Sequence, residues 1–187
     1  MSRFAIHDTP ITGLQLIERK PIGDGRGFLQ RLFCQKSLES LLHGKTIRQI
    51  NHTLTRKLGA VRGMHFQYPP HAEVKIISCL KGKVWDVAID LRRGSPSFLQ
   101  HHPVTLSEDV PQSYLIPEGF AHGFQALTPD CELIYFHTAD YNATAEAGLN
   151  ALDPRLGISW PVAISERSRR DAAHPMLSDS FAGIDVT

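Results

Sequence analysis

The chain has 187 residues, of which 42% are hydrophobic and 21% charged, and its net charge is +1. That length suits one well-filled domain over 1–187, and the charge balance excludes a broad basic face for nucleic acid. No apolar run is long enough to cross a bilayer, and Met1-Ser2-Arg3-Phe4-Ala5-Ile6-His7-Asp8 lacks the apolar centre of a signal peptide. A cytoplasmic protein without a membrane partner is expected. Cys34, Cys79 and Cys131 are odd in number and sit in apolar surroundings, which fits reduced, buried thiols better than disulfides or a zinc site.

The first strand expected in chain order covers 13–18, with Leu14 and Leu16 on one face. A short helix follows over 37–43: the Ser37 hydroxyl can cap it, Leu38, Leu41 and Leu42 give an apolar face, and Gly44 can end it. Strand-like runs then cover 46–55, 61–66, 74–80, 83–91, 98–106, 113–116, 123–127 and 133–138. Turn signals such as Lys81-Gly82, Gly94-Ser95-Pro96 and Pro117-Glu118-Gly119 separate them. Many short strands at this spacing predict an antiparallel sandwich or barrel with its core over about 10–161. After Tyr141 the chain reads as loop, then as a polar helix over 165–173 within a helical end segment, 162–187.

Strand parity suggests a cavity. Over 83–91, Trp85, Val87, Ile89 and Leu91 share one face, and Asp86 and Asp90 share the other with Val84 and Ala88. Gln49, Asn51 and Thr53 line one face of their run, and Lys75, Tyr135 and His137 add polar groups to other apolar strands. Such side chains fit the partly polar lining of a small barrel.

Two histidine segments stand out. One is Val61-Arg62-Gly63-Met64-His65-Phe66-Gln67-Tyr68-Pro69-Pro70; the other is Ile116-Pro117-Glu118-Gly119-Phe120-Ala121-His122-Gly123-Phe124. Pro117-x-Gly119-x-x-His122 resembles part of the second cupin motif, so an all-β jelly roll is expected. Many cupins hold a metal on two histidines one residue apart. Here Phe66 and Gln67 follow His65, and Ala126 stands where the second motif has asparagine. His65, His71, Glu73 and His122 remain as N/O ligands, but the missing pair argues against a functional metal, and no cofactor is expected.

The wider pattern resembles the dTDP-4-dehydrorhamnose 3,5-epimerase family of nucleotide-sugar enzymes over nearly the whole chain. It runs through Asp24-Gly25-Arg26-Gly27-Phe28, Gln49-Ile50-Asn51-His52, both histidine segments, Lys75, the run from Trp85 to Arg92, Tyr135, Tyr141, Glu146, Trp160-Pro161 and Asp171-Ala172-Ala173. The chemistry implied is epimerisation beside a keto group. A 4-keto sugar has acidified C–H bonds at C3 and C5, so the reaction needs a base, an acid on the opposite face and a holder for the enolate oxygen. Imidazole titrates near neutrality, and His65 suits the base. The resemblance pairs Asp171 with it, makes Tyr135 the acid and sets Lys75 near the C4 oxygen.

The resemblance also implies substrate contacts at Arg26, Phe28, Gln49, Asn51, Arg62, His122, Tyr141, Glu146 and Arg170. Tyr141 would stack on the base, the arginines would face diphosphate, and His122 would support the pocket. It further implies a homodimer in which Arg26 and Phe28 reach the partner's site. Two positions depart from the family pattern: Arg31 stands where an acidic residue is usual, and Phe136 where a basic one is commoner. The substrate expected is dTDP-4-dehydro-6-deoxyglucose. The alternatives are a single-centre epimerase, a 3,4-ketoisomerase, or a nucleotide-sugar-binding cupin without catalysis.

Overall fold

β-Branched and aromatic residues alternating with polar ones between turn residues make this chain a set of short strands. The computed structural model describes residues 3–186. In chain order the elements are β1 (Phe4–Asp8), β2 (Gln15–Arg19), β3 (Ile22–Asp24), β4 (Gly27–Leu29) and α1 (Gln35–Leu38), which runs on as a 3-10 turn over Glu39–Leu42. Then come β5 (Gln49–Thr55), β6 (Val61–Gln67), β7 (Lys75–Lys81), β8 (Lys83–Asp90) and β9 (His101–Ser107). The rest are β10 (Gln112–Ile116), β11 (Phe120–Ala126), β12 (Cys131–His137), β13 (Glu146–Gly148) and α2 (Arg169–Ala173).

A six-stranded sheet, β1-β2-β10-β7-β12-β5, faces a five-stranded one, β13-β6-β11-β8-β9, and β3 and β4 form a separate hairpin. The ladders are antiparallel, and partners such as β2 with β10 or β6 with β11 are distant in sequence. This is the expected jelly roll. Its inner core, between the sheets, includes Leu14, Ile77, Val84, Ala88, Tyr114, Phe124 and Leu133.

Both outer faces are covered as well. Trp85, Val87, Ile89 and Leu91 pack under the C-terminal segment, against Leu149, Leu156, Leu177 and Ile184. Residues of α1 and the 3-10 turn, Leu38 and Leu42, cover Ile17, Ile76, Leu115 and Phe136 on the other sheet. Strands such as β11, buried at every position, are therefore covered on both faces.

Several expectations change. The jelly roll begins at Phe4 rather than near residue 10, because β1 pairs along the whole of β2. The helix starts at Gln35, so Ser37 lies inside it, and its hydroxyl donates to Cys34 Sγ at 3.3 Å instead of capping. The strand expected from 98 starts at His101, because Ser95 and Ser97 turn back to donate to Asp90 Oδ2 at 2.5 and 2.6 Å. The run from 46 becomes a strand only at Gln49. The end segment is mostly non-helical: α2 and a 3-10 turn over Pro154–Leu156 are the helical pieces after β13 among the described residues. The cysteines are free thiols; Cys79 and Cys131 are buried and Cys34 is half-buried.

Phe136 occupies the face opposite Tyr135 and stacks on Phe33 at 5.5 Å. Its departure from the family pattern is therefore a matter of packing under α1, outside the cavity. Phe136→Ala is expected to lower unfolding free energy by about 3 kcal/mol in a urea titration.

Candidate active site

The two histidine segments become neighbouring strands, with His122 of β11 opposite His65 of β6. Farther along, Phe124 pairs with Arg62, so three steps on β6 match two on β11. This bulge turns both Arg62 and His65 toward one cavity despite their odd spacing. Glycine is required at the bulge. Gly63 has φ +131°, and a Cβ there would lie 2.5 Å from Gly123 Cα.

The cavity opens between the sheets and has a volume of about 200 Å³. From the six-stranded sheet it receives Gln49, Asn51 and Thr53 of β5, Lys75 of β7, and Tyr135 and His137 of β12. From the other it receives Arg62, His65, Gln67, His122, Phe124 and Glu146. Tyr141 and Arg170 close the rim. The parity reading of β5 and β12 is thus correct.

His65 Nε2 lies 2.8 Å from Asp171 Oδ1, across 106 positions of sequence. With the proton on Nε2, the lone pair sits on Nδ1, free to act as a base. Ser168 caps α2 by accepting from the Asp171 N–H, which fixes the carboxylate under β6. Burial by itself would raise the Asp171 carboxyl. The hydrogen bond and charge of His65, the Gly63 N–H and Ser168 outweigh it and hold the group at about 2, below its ordinary 3.8. A lowered carboxylate stabilises the fold above its unfolded value and loses that contribution as pH falls through the folded one. Asp171→Asn should therefore cost stability at pH 6, and the gap from wild type should shrink as pH falls from about 4 toward 2. Urea midpoints across that range measure it.

Tyr135 is buried on β12, with its ring 6.0 Å from those of His122 and His137. Burial and the nearby Asp86 charge push its phenol well above the usual range, against the pull of Arg62. It stays protonated at neutral pH and is a proton donor. His122 Nε2 meets Asp86 Oδ1 at 2.8 Å. Burial lowers the imidazole, Asp86 opposes this, and the charges of Lys75 and His65 reinforce the lowering. Asp86 thus gives the barrel interior its expected carboxylate. Asp90, in contrast, is held by Arg92 and the two serines at the end of β8.

Lys75 Nζ donates to the His65 carbonyl at 3.2 Å and pairs with Glu73 at 3.2 Å. Glu73 also meets His137 Nδ1 at 2.8 Å. Burial would raise Glu73, but Lys75 and His137 together bring it below the ordinary carboxylate range. At the rim, the Tyr141 hydroxyl donates to Glu146 at 2.9 Å, and Arg170 pairs with the same carboxylate at 2.9 Å. Arg62 lines the cavity with no carboxylate partner among the described residues; it donates to the Thr55 hydroxyl at 3.4 Å.

Arg26 and Phe28 do not join this cavity. They lie on the β3–β4 hairpin, with Arg26 bound to Asp24 at 2.6 Å and Phe28 73% exposed. Arg31, just beyond β4, is exposed and does not line the cavity. The set His65, His71, Glu73 and His122 does not gather as metal ligands, since His71 turns away to Asn142. Gln67 and Glu73 are cavity residues to which no role was given by sequence reasoning beyond a ligand role for Glu73. Period-two spacing from His65 and Lys75 was the available signal. His174, packed beside His65, had no such signal.

A buried phenol and a carboxylate-paired imidazole, on opposing sheets of a jelly roll around one cavity, are the groups that a proton-transferring isomerase needs. A family model described as dTDP-4-dehydrorhamnose 3,5-epimerase matches residues 8–179. The chain belongs to that family and is an isomerase of the epimerase class. The Salmonella typhimurium dTDP-4-dehydrorhamnose 3,5-epimerase is 38% identical over 92% of this chain and 95% of its own. The Legionella pneumophila epimerase, solved with dTDP-4-keto-L-rhamnose, superposes with a TM-score of 0.91 at 36% identity, covering 98% and 99% of the two chains. ChmJ, a 3'-monoepimerase from Streptomyces bikiniensis solved with dTDP-quinovose, gives 0.82 at 31% identity, covering 91% and 86%.

Proposed function

We propose that this enzyme converts dTDP-4-dehydro-6-deoxyglucose to dTDP-4-dehydrorhamnose by inverting C3 and C5, a step of deoxysugar and polysaccharide biosynthesis. The observation that carries the reading is the placement of His65 and Tyr135 on facing sheets around one cavity. His65 Nδ1 takes the proton from carbon, and the C–H electrons move into the enolate. Asp171 holds the ring and stabilises the imidazolium. Lys75 lowers the energy of the enolate oxygen as a nearby cation. Tyr135 then gives its phenolic proton to the other face of the carbon. His65 then loses its proton to solvent and Tyr135 regains one from solvent, and with both groups reset the same steps serve the second centre.

Arg62, with no carboxylate partner among the described residues, suits the diphosphate. Tyr141, Glu146 and Arg170 with Gln49 and Asn51 form the nucleotide end, and His122 supports the sugar pocket. In this reading the enzyme is a homodimer. The exposed Phe28, Leu29 and Ile22 on the β3–β4 hairpin support it: paired with a second copy, they would carry Arg26 and Phe28 to the partner's cavity. Reduced thiols and a nucleotide-linked substrate fit a cytoplasmic enzyme. No helix among the described residues is long and apolar enough to cross a membrane.

The likeness to a 3'-monoepimerase favours one alternative, inversion of a single centre. Incubation with dTDP-4-dehydro-6-deoxyglucose in deuterated water separates the readings. Deuterium at both C3 and C5, with a rhamno product, is expected by NMR. Label at one carbon supports the single-centre reading, and label at neither overturns the proposal.

A further inference from the structure

His174, the residue after α2, is not used by the proposed reaction, yet it is seated against its base. Its ring stands edge-on to that of His65, with centroids 5.6 Å apart and planes at 71°. The seat depends on β13, where Gly148 pairs opposite His65; a Cβ at Gly148 would lie 2.4 Å from His174 Nε2. That nitrogen is buried and has no hydrogen-bond partner. It lies 3.9 Å from Asp171 Oδ1, the oxygen that is 2.8 Å from His65 Nε2. One atom of each residue thus falls within 4.8 Å of the other two.

Tetrahedral zinc bonds nitrogen and oxygen at about 2.0–2.2 Å, which spaces its ligands by roughly 3.3 Å. The separations of 2.8 and 3.9 Å fall on either side of that spacing. Two imidazoles and a carboxylate select a borderline transition cation over magnesium or calcium. A cation here would also satisfy the orphaned nitrogen, which a buried polar atom otherwise lacks.

We propose that His65, Asp171 and His174 form an inhibitory site for a divalent transition cation of the zinc type. The cation takes the lone pair of His65 Nε2. The single ring proton of the neutral imidazole then resides on Nδ1, which no longer accepts a proton from substrate. The inhibition rests on His65 being the base; the binding does not.

The test uses the full chain, stripped with EDTA and titrated with zinc alone by calorimetry, beside turnover at each zinc concentration. One zinc per chain is expected, with turnover falling in step with occupancy and returning on addition of EDTA. His174→Ala, and His174→Phe to retain a ring, should keep turnover. Both should weaken zinc binding and shift inhibition by at least the ~10–100-fold seen for lost supporting groups at metal sites. Thermal melts verify that both variants fold. Unchanged zinc affinity in the two variants, as zinc on a thiol would give, overturns the site. So does a wild-type chain that binds no zinc. Zinc-loaded wild type with full turnover overturns the inhibition. If the chain shows no turnover on any substrate, the calorimetric comparison still decides the site.

Discussion

His65→Ala is expected to lower turnover by about 10²–10⁴-fold, roughly 3–5 kcal/mol of barrier, and to abolish exchange of the C3 and C5 protons with deuterated solvent. Both losses follow from one cause. Exchange and inversion begin with the same C–H cleavage, and the other imidazoles at the cavity are engaged elsewhere: His122 with Asp86 and His137 with Glu73. Asp171→Asn should give a smaller loss, because the base remains but its tautomer and its imidazolium lose their partner. NMR of substrate in deuterated water measures exchange, and a coupled assay measures turnover. Persistent exchange in His65→Ala would move the base to another residue.

Tyr135→Phe separates the two halves of the reaction. The variant keeps the ring that packs between His122 and His137 and loses only the phenolic proton. Deprotonation by His65 needs nothing from that proton, so exchange should persist. Delivery to the opposite face should slow by about 10²–10⁴-fold, the range for a positioned general acid. Equal loss of exchange in the His65 and Tyr135 variants would contradict this division of roles. Unaffected inversion in Tyr135→Phe would assign the acid elsewhere. A chain that binds the nucleotide sugar while neither variant changes anything would be a binding protein.

Much of the site was legible because β-structure writes its faces with a period of two. Gln49, Asn51 and Thr53 point to the cavity together, as do Tyr135 and His137, and that alternation is visible in the letters alone. The two histidine segments and the resemblance they carry were likewise readable, and with them the jelly roll and the family. Arg62 and His65 broke the rule. Their spacing puts them on opposite faces of a regular strand, and the bulge at Gly63 brings them to one side. Parity was also ambiguous for β8. Trp85, Val87, Ile89 and Leu91 do pack in a core, but it is the outer one under the C-terminal segment.

The sequence by itself determined the secondary-structure class, the inward face of β5 and β12, and the presence of an imidazole, a phenol and a cation suited to proton chemistry. Those are short-range properties, set by side-chain alternation and the intrinsic chemistry of each group. Only the tertiary structure decided which of these residues meet. It set His65 against Asp171, Lys75 between Glu73 and the His65 carbonyl, and His174 beside His65, and it held Arg26 and Phe28 apart on an exposed hairpin. Contacts between strands that are neighbours in a sheet but distant in the chain depend on how two sheets close over a shared core, and no local pattern encodes that closure.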